Sequence, residues 1–335
     1  MYFASPVPRG AYKVLSTVGW LGQNPNFPDY VPYQWLPNGD LVHLEKGPHG
    51  RLQLCYQKTD SEGPTEAPRR GLEVPPDPYL PQGSTAFKCF SSPDEQWVAC
   101  TWYSGSSGLQ TQLISADGKV SHTLSQPFLQ WLSDSRSFLT QSTALRPTIE
   151  VHHLDSPQVE VIQRITFNEG NLPVTNVSNG PDFLIGGRIS HLPNVGSSTN
   201  YPTMTLRSFR VAQPDAVPET WQVQAPHDID YGTVVASPNH RHLLWTVGTF
   251  RPTPLSALLH RLLPSHELVT VAKTYRFLSD LQGNHLHTIL ENTTDPSIMR
   301  SDGTRTDPEL SIVWTPDSKH LSFIYQKQLY YVPVE

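Results

Sequence analysis

Short apolar runs recur along the chain, and a polar turn precedes nearly every one of them. The clearest are Leu41-Val42-His43-Leu44, Trp97-Val98-Ala99-Cys100-Thr101-Trp102, Phe183-Leu184-Ile185, Leu243-Leu244-Trp245-Thr246-Val247 and Leu321-Ser322-Phe323-Ile324-Tyr325. Runs this short, rich in β-branched and aromatic residues and bounded by turn residues, predict buried strands rather than helices. The turns share a pattern: an apolar or small residue, any residue, Pro or Ser, Asp or Asn, a short polar link, then the strand. Copies occur at Trp35-Leu36-Pro37-Asn38-Gly39-Asp40, Ser91-Ser92-Pro93-Asp94-Glu95-Gln96, Trp131-Leu132-Ser133-Asp134-Ser135-Arg136, Asn176-Val177-Ser178-Asn179-Gly180-Pro181, Ala236-Ser237-Pro238-Asn239-His240-Arg241 and Trp314-Thr315-Pro316-Asp317-Ser318-Lys319. Proline presets φ near about −65° at the second turn position, and Asp or Asn tolerates the third. Each copy therefore predicts a β-hairpin.

A second hairpin follows some copies. Thr111 to Leu124 turns at Asp117-Gly118, and Tyr275 to Leu290 turns between Asp280 and Gly283. Four strands per repeat is the unit of a β-propeller. Copies lie roughly 40 to 80 residues apart against the ~40 to 50 of a common blade, so surface insertions are expected at 63–81, 190–202 and 292–308. The last repeat has three strands before Glu335, and Ala11 to Thr17 is expected to supply the fourth and close the ring. The prediction is all-β: one propeller domain over 1–335, six blades of four antiparallel strands, with seven blades the alternative. The blades fall at about 31–80, 84–126, 127–168, 171–226, 227–294, and 309–335 together with 11–17. The segment at Tyr275 is taken as the outer hairpin of the fifth blade rather than a seventh copy.

The stretch Ile312 to Pro333 resembles the repeat of TolB-like, WD-type β-propellers, whose blades carry a W-x-P-D-G-K-x-L-A-F turn followed by a Q-L-Y-V-V-P-like strand. Tyr275 to Leu290 resembles the outer hairpin of the same family. This sequence departs from the pattern in three places: the fourth copy keeps only Ser178-Asn179-Gly180, the first is one residue short, and Ser318 stands where the family has glycine. The resemblance implies a propeller of the kind that serves as a protein-binding scaffold, or that stands before the hydrolase domain in prolyl-oligopeptidase-like enzymes.

Composition agrees with strands and removes several functions. Among 335 residues there are 32 prolines and 21 glycines, which suits many short strands punctuated by turns better than helices. A net charge of −6 and the absence of any Lys/Arg block speak against nucleic acid as a partner. Cys55, Cys89 and Cys100 form neither a CxxC pair nor an even set, so neither a metal site nor a disulfide framework is expected, and a reducing compartment is favoured. The N-terminal residues lack the basic and apolar regions of a secretory signal, and no run of about 18 apolar residues suggests a membrane span. A cytoplasmic monomer is the expectation, with a periplasmic or extracellular setting if the chain is processed.

Candidate chemistry is sparse. Gly105-Ser106-Ser107-Gly108 lacks the spacing of a G-x-S-x-G nucleophile elbow, and no phosphate-binding glycine loop occurs. Of 14 histidines, His152 and His153 are adjacent on a strand and point to opposite faces, and His240 and His242 belong to a turn. His227, Asp228 and Asp230 lead into an inner strand where ligands could converge, but a structural or solvated role is preferred. No catalytic residue, metal or cofactor is assigned. The loops entering each first strand and leaving each second strand open on one face, around the channel, where loops on a rigid scaffold carry function. Candidate binding residues there are Trp102, Tyr103, Arg188, His191, Asp228, Tyr231, Arg251 and Tyr325, with Tyr33 and Lys327 nearby. Aromatics with arginine suit a protein or peptide partner. The competing reading is a propeller enzyme of the polysaccharide lyase or glycosidase type with its site at the channel. Finally, Leu255, Leu258, Leu259 and Leu262 are spaced as one face of a short helix within 254–264, expected to lie back over the propeller.

Overall fold

A computed structural model describes residues 7–8, 10–20, 33–47, 51–60, 62–74, 88–103, 109–141, 148–155, 158–166, 183–190, 203–210, 219–224, 231–252, 258, 261–262, 270–294 and 312–334. Strand β1 is Tyr12–Ser16. The first complete sheet is β2 (Tyr33–Trp35), β3 (Asp40–Lys46), β4 (Leu52–Lys58) and β5 (Arg69–Glu73), in that order. The second is β6 (Lys88–Ser91), β7 (Trp97–Tyr103), β8 (Leu109–Ser115) and β9 (Ser121–Leu124). The third is β10 (Phe128–Trp131), β11 (Ser137–Gln141), β12 (Thr148–Asp155) and β13 (Gln158–Thr166). Then come β14 (Phe183–Ser190), β15 (Thr203–Arg210) and β16 (Glu219–Gln224), a sheet of three. The next is β17 (Tyr231–Ala236), β18 (His242–Pro252), β19 (Thr270–Asp280) and β20 (His285–Thr294). The last is β21 (Val313–Trp314), β22 (His320–Tyr325) and β23 (Gln328–Pro333), with β1 on the edge beside β23. Every pairing is antiparallel and joins sequence neighbours except β1 with β23, the arrangement of propeller blades.

The repeated turn has one geometry. The fourth residue donates to the carbonyl of the first in Gly39 to Leu36 (3.0 Å), Glu95 to Ser92 (2.9 Å), Ser135 to Leu132 (3.1 Å), His240 to Ser237 (2.9 Å) and Ser318 to Thr315 (3.0 Å). That fourth residue has positive φ in each case: 89° at Gly39, 61° at Glu95, 58° at Ser135, 54° at His240 and 61° at Ser318. The Asp or Asn before it fixes the turn by accepting the N–H two residues on, as Asp94 does from Gln96 (3.0 Å), Asp134 from Arg136 (2.9 Å) and Asp317 from Lys319 (3.0 Å). The left-handed residue costs about 1 kcal/mol when it is not glycine. Two of these serines offset that by reaching a neighbouring sheet. Ser135 Oγ accepts the N–H of Asp94 (3.0 Å), and Ser318 Oγ accepts the N–H of Asn239 (3.0 Å).

The apolar core lies between neighbouring sheets. Val42, Leu44, Leu54 and Tyr56 pack on Val98 and Cys100; Trp97, Ala99 and Leu113 pack on Phe128, Trp131 and Phe138. Leu244, Leu278 and Ile289 meet Trp314, Leu321 and Phe323, while Val14, Ile324, Leu329 and Tyr331 meet Trp35 and Leu41. The tryptophan that ends several first strands also donates a hydrogen bond across the seam. Trp131 Nε1 bonds Phe90 O (2.9 Å), Trp314 Nε1 bonds Val235 O (3.3 Å) and Trp35 Nε1 bonds Ser322 Oγ (2.9 Å). An indole so placed buries large apolar area while keeping its N–H satisfied.

Four expectations need correction. The propeller has five blades of four strands, not six or seven; the sheet β14–β16 has three among the described residues. It is the blade whose turn copy had lost its Pro-Asp core, and that copy, Ser178-Asn179-Gly180, lies outside the described residues. The pairing of β1 with β23, Tyr12 opposite Tyr331 and Ser16 opposite Gln328, completes one sheet; it does not show a closed six-bladed ring. A disulfide joins Cys89 and Cys100, which face each other across β6 and β7 with Cα atoms 4.1 Å apart. An odd cysteine count thus conceals a pair plus one free thiol, Cys55, and carries no argument for a reducing compartment. In the inserted segment Leu258, Arg261 and Leu262 are helical, but Leu258 is 53% and Leu262 67% exposed rather than laid against the propeller. Among the described residues no helix is long and apolar enough to cross a membrane.

Candidate functional site

The residues expected around the channel fall at strand ends. Trp102 and Tyr103 close β7, opposite Gln110 and Leu109. Arg188 lies near the end of β14 opposite Thr205, and Tyr231 opens β17 opposite Gly248. Arg251 is next to last in β18, opposite Val271. Tyr325 closes β22 opposite Gln328, is partly buried against the last sheet's core, and accepts a hydrogen bond from Gln326 Nε2 (3.1 Å). His191 and Asp228, with His227 and Asp230, lie outside the described residues. Tyr33 is engaged between sheets, its hydroxyl hydrogen-bonded to Ser322 Oγ (3.0 Å) and its pKa raised by burial. His152 and His153 have separate partners, Thr140 Oγ1 (2.8 Å) and Ser137 Oγ (3.0 Å), as opposite faces require.

One ribbon of this group is long. Among the described residues β17 pairs with β18 as far as Tyr231 opposite Gly248, while β18 continues against β19 through Thr249, Phe250, Arg251 and Pro252. These four further residue pairs add about 13 Å to the ribbon. Arg251 sits on this extension, and the segment beyond it carries the exposed Leu258 and Leu262.

A second locus was not foreseen. On β3, residues two apart share a face, so His43 and Glu45 stand side by side, and Cys55 on β4 is directly opposite His43. His43 Nε2 lies 3.0 Å from Glu45 Oε1, and one ligand-capable atom from each of the three residues lies within 4.8 Å of the others. The face is the one that carries Leu41 toward the last sheet. Trp20 covers it, its ring stacked on His43 at 3.8 Å between centroids and its backbone bridged to Glu45. His43 is 2% and Cys55 1% exposed. Burial lowers the His43 pKa, opposed by the Glu45 hydrogen bond. Burial, then the charge of Glu45, pushes the Cys55 thiol up to about 12. The signal for this locus was His43-x-Glu45 in an apolar strand, which a search for histidine clusters and paired cysteines passes over.

No protein-family model matches the chain, and no curated protein matches it in sequence. Solved structures similar to it include a protein assigned as TolB from Agrobacterium tumefaciens, 15% identical over 91% of this chain and 90% of that one, with a TM-score of 0.46. Another is an oligogalacturonate lyase from Vibrio parahaemolyticus, 11% identical over 100% and 97%, with a TM-score of 0.43. A third is the β-propeller domain of the Trilobed protease from Pyrococcus furiosus, 10% identical over 91% and 83%, with a TM-score of 0.41. TolB-like propellers are thus among its structural neighbours, while no family model extends the likeness to a WD-type repeat family. Likenesses at these scores carry no argument about activity.

Proposed function

We propose that the chain is a non-enzymatic binding propeller that recognises a protein or peptide partner through the loop ends of its blades. The observation that carries this reading is the pair of exposed leucines 258 and 262, which follow the long β18–β19 ribbon that carries Arg251. Two large apolar side chains held in water have a cost that a partner surface would remove. Trp102, Tyr103, Arg188, Tyr231 and Tyr325, at the ends of other strands, supply the aromatic and cationic groups that dominate such interfaces. His191 and Asp228 belong to the same proposed face.

The test compares proteins or peptides retained by the immobilised full chain with those retained by a Leu258→Ser/Leu262→Ser double variant. The double variant is expected to melt within about 2 °C of the parent, because it removes exposed rather than packed groups, and to lose the retained partner. Unchanged retention by the folded variant would exclude the ribbon as a recognition element. A large fall in melting temperature would show that the leucines pack on the propeller instead.

A further inference from the structure

We propose that His43, Glu45 and Cys55 form a binding site for a zinc-type divalent cation, held on one face of β3 and β4 and covered by Trp20. The strands place the donors without help from a flexible loop. His43 and Glu45 share a face by strand periodicity, and Cys55 shares it by direct pairing with His43. Imidazole nitrogen, carboxylate oxygen and thiolate sulfur form a donor set suited to a borderline-soft ion such as Zn²⁺, and poorly suited to Ca²⁺ or Mg²⁺, which take oxygen donors.

The spacing fits. Tetrahedral zinc bonds of about 2.0 to 2.3 Å put neighbouring donors roughly 3.3 to 3.6 Å apart. The His43–Glu45 separation of 3.0 Å is a few tenths short of that, and the donor atoms of all three residues lie within 4.8 Å of one another. The imidazole is tied through Nε2 to Glu45, while His43 Nδ1 is buried with no hydrogen-bond partner. Among the described residues this is the one group of three or more His, Cys, Asp or Glu residues whose donor atoms converge so closely.

Access and closure are also supplied. The Glu45 side chain is 28% exposed and gives the ion a route in, while the Trp20 ring shields the imidazole. On binding, the Cys55 thiol releases its proton to solvent and the freed sulfur pair forms the Zn–S bond. Three protein donors leave a fourth coordination position for water or an external ligand. The ion would tie β3 to β4 beneath the segment that carries Trp20, on the face turned toward the last sheet.

The experiment uses the full chain, stripped with a chelator, handled without oxygen so that the Cys89–Cys100 disulfide stays intact, and titrated with ZnCl₂, with CoCl₂ as the spectroscopic stand-in. One zinc per chain should survive desalting, and cobalt should give a thiolate-to-metal charge-transfer band together with the strong visible bands of tetrahedral coordination. Cys55→Ser should abolish the charge-transfer band and weaken zinc at least ~10-fold, and Glu45→Gln and His43→Gln should each weaken it by a similar factor. Glu45→Gln, at the most exposed of the three positions, guards against misreading a folding defect, and circular dichroism verifies each variant. Failure of the parent to retain zinc overturns the proposal. So does equal zinc retention by all three folded variants, or cobalt binding without a sulfur band.

Discussion

Two buried histidines, one in the sheet β2–β5 and one in β10–β13, have nearly the same surroundings and differ in what they can hold. His43 and His152 each lie on a strand two residues from a glutamate, Glu45 and Glu150, and each is stacked on an aromatic ring, Trp20 or Phe138. Beside His152 and Glu150 stand a hydroxyl and an amide. Thr140 Oγ1 meets its Nε2 at 2.8 Å, and Gln126 Nε2 donates to Glu150 at 2.7 Å. Across from His43 stands Cys55, and across from His152 stands Phe138. The His–Glu pair is therefore not what makes a metal site. The third side chain differs: a thiol faces His43, whereas a hydroxyl and an amide meet the pair at His152.

That comparison can be broken in several ways, the largest first. Phe138 is fully buried and also packs on Phe128 and Trp131, so Phe138→Ala should cost about 3 to 5 kcal/mol in urea denaturation, whereas Trp20→Ala, at a partly exposed ring, should cost about 1 to 2 kcal/mol. Equal losses would mean that the Trp20 cover is as integral to the core as Phe138. Next in size is the metal. Zinc at about 100 times its Kd should stabilise the parent by about 2.7 kcal/mol in thermal denaturation and leave Cys55→Ser unmoved. Thr140→Cys should confer zinc-dependent stabilisation on the second histidine, since it sets a thiol beside His152 and Glu150. No gain there would show that donor identity alone does not make the site.

The turns that lead into the two sheets should part on acidification. Burial works against ionisation of Asp134, but hydrogen bonds from Ser137 Oγ (2.6 Å), Ser137 N (2.7 Å) and Arg136 N (2.9 Å) outweigh it and hold its carboxyl below the ordinary range. A depressed pKa stabilises the fold above the unfolded value of about 3.9 and loses that contribution as pH falls through the folded value. Solvent screens this exposed turn, so Asp134→Asn should cost about 0.5 to 1 kcal/mol at pH 7, with the gap to the parent narrowing below about pH 4 in acid titrations of stability. Asp40 runs the other way, its pKa raised by burial and then by the charge of Glu95. Its ionised form is the disfavoured one in the fold, so its share of stability is lost as pH rises through the folded value. Asp40→Asn should leave stability at pH 7 unchanged or raise it by up to ~0.5 kcal/mol, the smallest effect of the set.

Much of the architecture was written in local signals. The turn pattern located the hairpins because proline, Asp/Asn and a left-handed residue act within six positions, and the outer hairpin at Tyr275 was recovered as β19–β20 for the same reason. The blade count was not recoverable that way. Where the pattern decayed at Ser178-Asn179-Gly180, outside the described residues, the sequence still looked like a strand pair, yet the sheet that follows has three strands among the described residues. The Cys89–Cys100 bridge and the His43–Glu45–Cys55 locus were illegible for a shared reason. Each depends on cross-strand register, which is set by where the hairpin turn falls, and no count or spacing of cysteines contains it. Exposure of Leu258 and Leu262 was missed because a helical apolar stripe says which side chains share a face and not whether anything meets that face.

The serines at the left-handed turn position have a mechanical consequence. Glycine would suit the backbone of Ser135 or Ser318 better, and Ser→Gly there should relieve about 1 kcal/mol of backbone cost while giving up a hydrogen bond of comparable worth to the preceding blade's turn. Melting temperature would then hardly register the change. What changes is the tie between units: each serine joins the turns of two adjacent blades, and its loss should let those turns open more often. Amide exchange at Asp94 and Asn239, whose N–H groups the serines hold, is where that looseness would appear. Residues chosen against their own backbone preference are here the fasteners between units, and the family pattern with glycine describes a blade considered alone.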